Sequence, residues 1–219
     1  MAPLNSSGSA SLLRRELFPL GFSGEVMLHV VRTWDILSLN RKVRHETSIS
    51  AVFRDALIEA YVADGRAWFI ALEDPITDPD FGTELGRNDL RFYPQNHYGQ
   101  TVFFTVECKR LRVTTGAGIS QLADKYVDEG VQRFVDGRYS SGLPCGGMVG
   151  YVMDNEMSKA FSAVQEAIIS KRTKVRLRPR SLRTPSEALP HYKWSADTRH
   201  FTKDGEIALH HALLGITQG

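Results

Sequence analysis

The chain is poor in cysteine: of 219 residues, only Cys108 and Cys145 carry a thiol. Two thiols make neither a disulfide framework nor a cysteine zinc cluster, and such usage fits a reducing, cytoplasmic setting with both side chains partly buried. Long apolar runs are also missing. No stretch approaches the ~20 residues a bilayer-crossing helix needs, so no membrane partner is expected. Residues 1–10 are small and polar, without the charged start and apolar block of a secretory leader, and read as a disordered tail. No internal repeat of solenoid period is present. Nor does one sign of charge dominate. The 27 Lys and Arg against 25 Asp and Glu leave +2, too little for the total to point to nucleic acid; only the local distribution can.

What is present suffices for one ordinary core. Hydrophobic residues make up 42% and charged residues 24%, and the length fits a single domain over residues 11–219. Helical apolar spacing predicts helices over 26–40 and 46–62, the second stopped by Asp64-Gly65. A short strand is expected at 67–72. Residues 73–86 hold two prolines, two glycines and five acids, which is loop composition. Strands follow at 87–93 and 101–109, a helix over 117–137, a turn at 140–147, and a strand at 148–153 in which Gly150 signals close packing or a bulge. A helix over 156–170, a basic irregular segment and a strand at 193–201 lead to a last strand or short helix at 205–215. The fold class read from this order is α/β: a central mixed β-sheet flanked by helices.

The chemistry gathers at Asp89 and at Glu107-Cys108-Lys109. A strand alternates its side chains, so Glu107 and Lys109 share one face while Val106 and Cys108 take the other. A buried strand has little reason to end in a carboxylate and an ammonium. With Asp89 on the neighbouring strand it has one: two carboxylates hold a hard cation and the lysine stands beside it, the layout of a metal-dependent phosphodiesterase. Magnesium keeps several waters and needs only one or two carboxylates plus phosphate oxygens. Asp89 and Glu107 are the expected ligands, with the Cys108 backbone carbonyl as a further one and Mn²⁺ as a substitute ion. Lys109 would orient a water or offset charge on phosphorus, and whether it also accepts a proton depends on its pKa. The bland alternative is a solvated charge pair at an exposed strand end.

An early helix with a glutamate, an aspartate at a strand end and Glu-x-Lys on the next strand resemble the PD-(D/E)xK restriction-endonuclease-like nuclease superfamily. Asp89 matches its aspartate, Asn88 stands where the proline usually sits, and Glu107, Cys108 and Lys109 match the (D/E)xK element. Glu46 matches the acid that many members carry on the first core helix; its other reading is a first-turn acid favoured by the helix dipole. Glu84 is the spare acid. The resemblance covers about residues 40–155 and implies a restriction-endonuclease-like core, with Asp89, Glu107, Lys109 and Glu46 as catalytic residues and the acids as Mg²⁺ ligands. It further implies a DNA endonuclease more than an exonuclease, serving antiviral defence or repair, with RNA left open as a substrate. A homodimer and an ATPase or targeting subunit are the expected partners. The alternative is a non-catalytic nucleic-acid-binding or scaffold subunit on the same fold.

Lys171, Arg172, Lys174, Arg176, Arg178, Arg180 and Arg183 form a run of seven basic residues without an acid. Such a run can neutralise phosphates, and the 176, 178, 180 spacing would put three guanidiniums on one side of an extended segment. The other reading is a solvated loop after a helix, with Lys171 and Arg172 favouring the helix C-terminus. His200, His210 and His211 are expected to pack structurally, because neighbours on a strand point opposite ways and cannot converge on zinc. His200 is also weighed as a phosphate contact.

Overall fold

The structure, a computed structural model, describes residues 6–37, 45–65, 68–77, 84–94 and 101–216. Three helices open the chain: α1 (Ser6–Glu16), α2 (Phe22–Ile36) and α3 (Glu46–Ala63). Three strands follow, β1 (Trp68–Thr77), β2 (Glu84–Pro94) and β3 (Phe104–Leu111), then a hairpin of β4 (Val113–Thr115) and β5 (Gly118–Ser120). The next helix is composite: α4 (Ala123–Tyr126), a π turn over Val127–Val131, and α5 (Gln132–Val135). Strand β6 (Cys145–Val152), helix α6 (Met157–Ser170) and the strands β7 (Ser195–Thr202) and β8 (Gly205–Gly215) complete the fold.

Six strands make one mixed sheet in the order β1-β2-β3-β6-β8-β7. β1, β2 and β3 form an antiparallel meander, β3 pairs parallel to β6, β6 parallel to β8, and β7 antiparallel to β8. Alternation on β3 sends Phe104, Val106 and Cys108 to one face, where Val26, Met27 and Val30 of α2 and Ile49, Phe53 and Leu57 of α3 cover them. The other face carries Leu111 of β3, Met148 and Val152 of β6 and Leu209 and Leu213 of β8. It lies under Tyr126, Val131, Phe134, Val164 and Ile168 of the composite helix and α6. The result is a three-layer sandwich. Each fully buried large apolar side chain in it contributes about 1.5–3 kcal/mol. Gly150 is a matter of close packing rather than a bulge: a Cβ there would lie 2.5 Å from Leu213 Cδ2 and 2.6 Å from Leu111 Cδ1.

Four expectations need correction. The chain is already helical from Ser6, inside the segment read as a tail. The acid- and proline-rich stretch over 73–86 is largely strand, since β1 runs to Thr77 and β2 starts at Glu84. Pro75 is tolerated there because β1 is an edge strand, with no ladder donor required on its outer side. Residues 113–120 form a hairpin and not the start of a helix, with a turn at Gly116-Ala117 between Thr115 and Gly118. The loop over 140–147 is shorter than expected, because Cys145-Gly146-Gly147 already pairs with β8. The last element resolves as strand β8.

Candidate active site

The antiparallel ladder between β2 and β3 runs through Phe92–Phe104, Arg91–Thr105 and Leu90–Val106. Beyond Val106 the strands part, while β3 continues on its other side alongside β6 as far as the Leu111–Val152 pair. Two carboxylates take up the edge so freed. Asp89 Oδ2 accepts the Cys108 backbone N–H at 2.7 Å, and Glu46 Oε2 accepts the Arg110 backbone N–H at 2.8 Å. Glu46 reaches it as the first residue of α3. A charge-assisted bond to a backbone donor is the strong kind, so each acid is held firmly where a neighbouring strand would otherwise lie.

Leu90 and Phe92 point into the α2–α3 core, which turns Asp89 to the opposite face of the sheet. Glu107 and Lys109 take that same face by the alternation of β3. Glu107 is 1% exposed and Lys109 8%. The Lys109 ammonium lies 2.7 Å from Glu107 Oε1 and 3.1 Å from Glu46 Oε1, and it donates to the Cys108 carbonyl at 3.0 Å. An ammonium has three donors, and these oxygens use all three. The carbonyl expected as a metal ligand is thus bound to the lysine. From sequence Arg133 of α5 counted only as one of several added positive charges; its Nη1 donates to Glu107 Oε1 at 3.2 Å and to Tyr139 Oη at 2.6 Å. No local pattern marks this contact, since its partner comes from another element. Gly130, in the π turn, lets the composite helix settle over the site: a Cβ there would meet the Met148 methyl at 2.5 Å and stand 3.8 Å from Lys109 Cγ. A π turn inside an α-helix is a frequent mark of a functional site.

Among the described residues, three carboxyls face two cations, Lys109 and Arg133, and charge balances in this cluster once one carboxyl holds a proton. Burial and the neighbouring Asp89 push the Glu107 carboxyl up to about 8, against the pull of Lys109 and Arg133. Burial also raises Asp89, opposed by Lys109 and the Cys108 N–H. For Lys109, burial favours the neutral amine, but Glu107, Asp89 and Glu46 together outweigh it and raise its pKa above the ordinary lysine value. These carboxyls favour the ammonium over the neutral amine. Glu107 Oε2 is buried and accepts no hydrogen bond, and the Asp89 carboxyl lies within reach to share a proton with Glu107. Among the described residues, no group of three or more His, Cys, Asp or Glu is gathered closely enough to hold a metal ion as the side chains stand. The oxygen donors and the orphaned Glu107 Oε2 nevertheless suit a hard divalent ion. The Lys109 ammonium is itself a cation seated among three oxygens.

The basic segment differs from its expected form. Arg176 and Arg180 have φ of 46° and 57°, so the chain turns there and does not line up three arginines on one extended side. The run contains no acid, but the fold supplies them. Lys171 pairs with Asp124 at 2.8 Å and with Asp128 at 2.5 Å, and Lys174 with Asp128 at 2.7 Å. Arg178 pairs with Glu206 at 2.9 Å, and Arg183 pairs with Glu187. The Arg172 side chain makes no hydrogen bond or ion pair with another described residue. The side chain of the spare acid, Glu84, lies outside the described residues.

The histidines pack structurally. Tyr126 Oη lies 2.9 Å from His211 Nδ1, His211 Nε2 lies 2.8 Å from Thr198 Oγ1, Thr198 Oγ1 lies 2.7 Å from His200 Nε2, and His200 Nδ1 lies 2.7 Å from the Val175 carbonyl. A carbonyl only accepts, so His200 must donate from Nδ1 and accept from Thr198. Thr198 then accepts from His211 Nε2–H, and His211 Nδ1 accepts from Tyr126. One direction of donation satisfies every atom with both rings neutral. Burial agrees, pulling His200 down to about 4 and His211 to about 3. His210, on the opposite face, bonds Asp197 at 2.8 Å. Both cysteines are free and buried, and no described helix is long and apolar enough to cross a membrane. No family model, no curated protein sequence and no solved structure matches this chain.

Proposed function

We propose that this chain is a metal-dependent phosphodiesterase that cleaves DNA, with Asp89, Glu107, Lys109 and Glu46 as its centre. One observation carries the reading: a buried carboxyl, Glu107, has an oxygen that accepts no hydrogen bond, lies beside two further carboxyls and, among the described residues, meets two cations, so that it holds a proton where a metal ion could sit. Native proteins rarely bury such a deficit, and where they do, a proton or a metal ion completes it. Asp89, Glu107 and Glu46 would hold the ion. When bound, Mg²⁺ or Mn²⁺ supplies Lewis acidity toward phosphate and an acidified water. Lys109 stays charged and faces the negative charge that grows on phosphorus, and Arg133 steadies Glu107. The resemblance to restriction-endonuclease-like nucleases belongs to the same proposal. It is supported by the succession α3, β1, β2, β3, composite helix, β6, by the parallel return of β6 onto β3, and by the acid in the first turn of α3.

The test is plasmid nicking with Mg²⁺ or Mn²⁺. The wild type is expected to cut and to stop on chelation. Asp89→Ala and Lys109→Ala are each expected to slow cutting at least ~10²–10³-fold, the usual effect of deleting a group that stabilises developing charge. Cutting that survives both substitutions removes this centre. Salt-dependent DNA retention by a wild type that never cuts assigns the chain to binding alone.

A further inference from the structure

Away from the carboxylate centre, the segment after α6 folds back along the outer edge of β7. Leu177 bridges His200 and Arg183 bridges Asp197, and the Arg178 N–H donates to the Arg199 carbonyl at 2.8 Å. Between the turn and β7 opens a cleft of about 130 Å³ lined by Arg178, Pro179, Arg180, Ser181, Arg183 and Arg199. Ser181 pins the turn, its hydroxyl donating to the Arg199 carbonyl and accepting the Arg199 N–H, both at 3.2 Å. Arg199, outside the basic run, was not singled out from sequence.

Four guanidiniums meet at this cleft. Glu206 binds Arg178 at 2.9 Å and Arg199 at 3.0 Å, and Glu187 binds Arg183, so two positive charges remain uncompensated. The Arg180 side chain makes no hydrogen bond or ion pair among the described residues. Arg180 also sits at φ 57°, in the left-handed region that a long side chain rarely adopts. The fold thus holds an unpaired guanidinium in a strained turn, facing three others. Strain of this kind concentrates where a ligand is gripped.

We propose that this cleft binds a phosphate group, and that in the DNA-cleaving reading above, on which this assignment rests, the group is a backbone phosphate. Guanidinium forks match phosphate oxygens in pairs, which a ring of lysines would not do. The volume is close to the ~150 Å³ of a cavity that admits benzene, so it takes one phosphate and not a whole nucleotide. No aromatic ring lines it, so no base stacks there and the contact is blind to sequence. The cleft lies four strand steps from β3, roughly 19 Å at ~4.8 Å per step. That span corresponds to about five or six phosphates along one strand of B-DNA. It marks where the nucleic acid continues beyond the cutting centre.

Binding measured in EDTA keeps this assignment separate from cleavage. Fluorescence anisotropy with a labelled 12-nucleotide strand and its duplex, over a salt series, is expected to give a linear dependence of log K on log salt. Arg180→Ala and Arg199→Ala are each expected to flatten the slope by close to one unit and to weaken all sequences alike. Lys174→Ala, whose ammonium is held by Asp128, is expected to leave the slope unchanged. Inorganic phosphate is expected to shift the Arg180 side-chain Nε–H resonance in the wild type. Slopes unchanged in both arginine variants, with the Arg180 Nε–H response to phosphate unchanged in Arg199→Ala, overturn the site. Loss of the phosphate response with an unchanged DNA slope overturns the backbone assignment in favour of a small phosphorylated ligand. Flattened slopes with no nicking by the wild type leave this cleft standing while the cutting centre fails.

Discussion

Two buried polar clusters share one face of the sheet, and they are built on opposite terms. On β7 and β8, His200 and His211 are neutral, and each ring nitrogen has one partner in a run of hydrogen bonds with a single direction. On β2, β3 and α3, three carboxyls surround one buried ammonium, a guanidinium reaches in from outside, and Glu107 Oε2 is left over. Depth does not separate them, since His211 is 2% exposed and Glu107 1%. Completeness does. A satisfied neutral network needs nothing more and fixes how layers meet. One with a surplus carboxyl costs stability unless a proton or a cation completes it.

The difference should appear first in the pH dependence of stability, where the clusters act with opposite sign. Glu107 has a raised folded-state pKa, about 8 against 4.5 for the free group, so the folded state holds a proton the unfolded chain has released. Its stabilisation is complete below about pH 4.5 and is lost as pH rises through 8, in total on the order of 5 kcal/mol. His200 and His211 have lowered values, so the unfolded chain binds protons that the folded chain refuses, and stability falls as pH drops below 6.5 toward 4 and 3. Urea melts from pH 4.5 to 8.5 in EDTA are expected to show that Glu107→Gln loses the alkaline decline and becomes more stable than wild type at pH 8. A wild type that is flat between pH 6.5 and 8 would break the contrast.

Adding the missing cation sharpens it. Mn²⁺ at a hundred times its dissociation constant is expected to stabilise the wild type by about 2.7 kcal/mol, more visibly at pH 8 than at pH 6, where it competes with the proton on Glu107. Differential scanning fluorimetry should find no such gain in Glu107→Gln. An equal gain in both proteins would place the ion elsewhere.

The smallest effect is expected from the complete network. Thr198→Val removes the hydroxyl that joins the two histidines and should cost about 1–3 kcal/mol in urea melts, the penalty for buried groups left without partners. Nicking activity, where the wild type shows it, should be unchanged by this substitution. Loss of cutting in a stably folded Thr198→Val protein would make the histidine network part of the chemistry and erase the distinction.

The core of the candidate site was legible in sequence for a simple reason. Period-two alternation alone puts Glu107 and Lys109 together, and Asp89 follows once Leu90 and Phe92 are assigned inward. Helical spacing also placed Glu46 at the start of α3. Interactions between distant segments were illegible. Nothing near Arg133 announces Glu107, and nothing within the basic run announces Asp124, Asp128 or Glu206. Local signals failed in two places for different reasons. Ile119 and Leu122 fit a helical period, yet the glycines at 116 and 118 favour the β4–β5 hairpin, and Ile119 ends 43% exposed. Pro75 looked like a strand breaker because its strand could not be known to lie at the edge.

The early parting of β2 from β3 has a consequence of its own. The sheet is left unzipped for its last rungs, and acids grip the bare teeth at Cys108 and Arg110. Two more rungs of pairing would close the seam and evict both acids from the backbone they hold. The centre therefore depends as much on where a strand pair stops as on which residues it carries, and a variant that extends the zipper should be a well-folded protein with an empty socket.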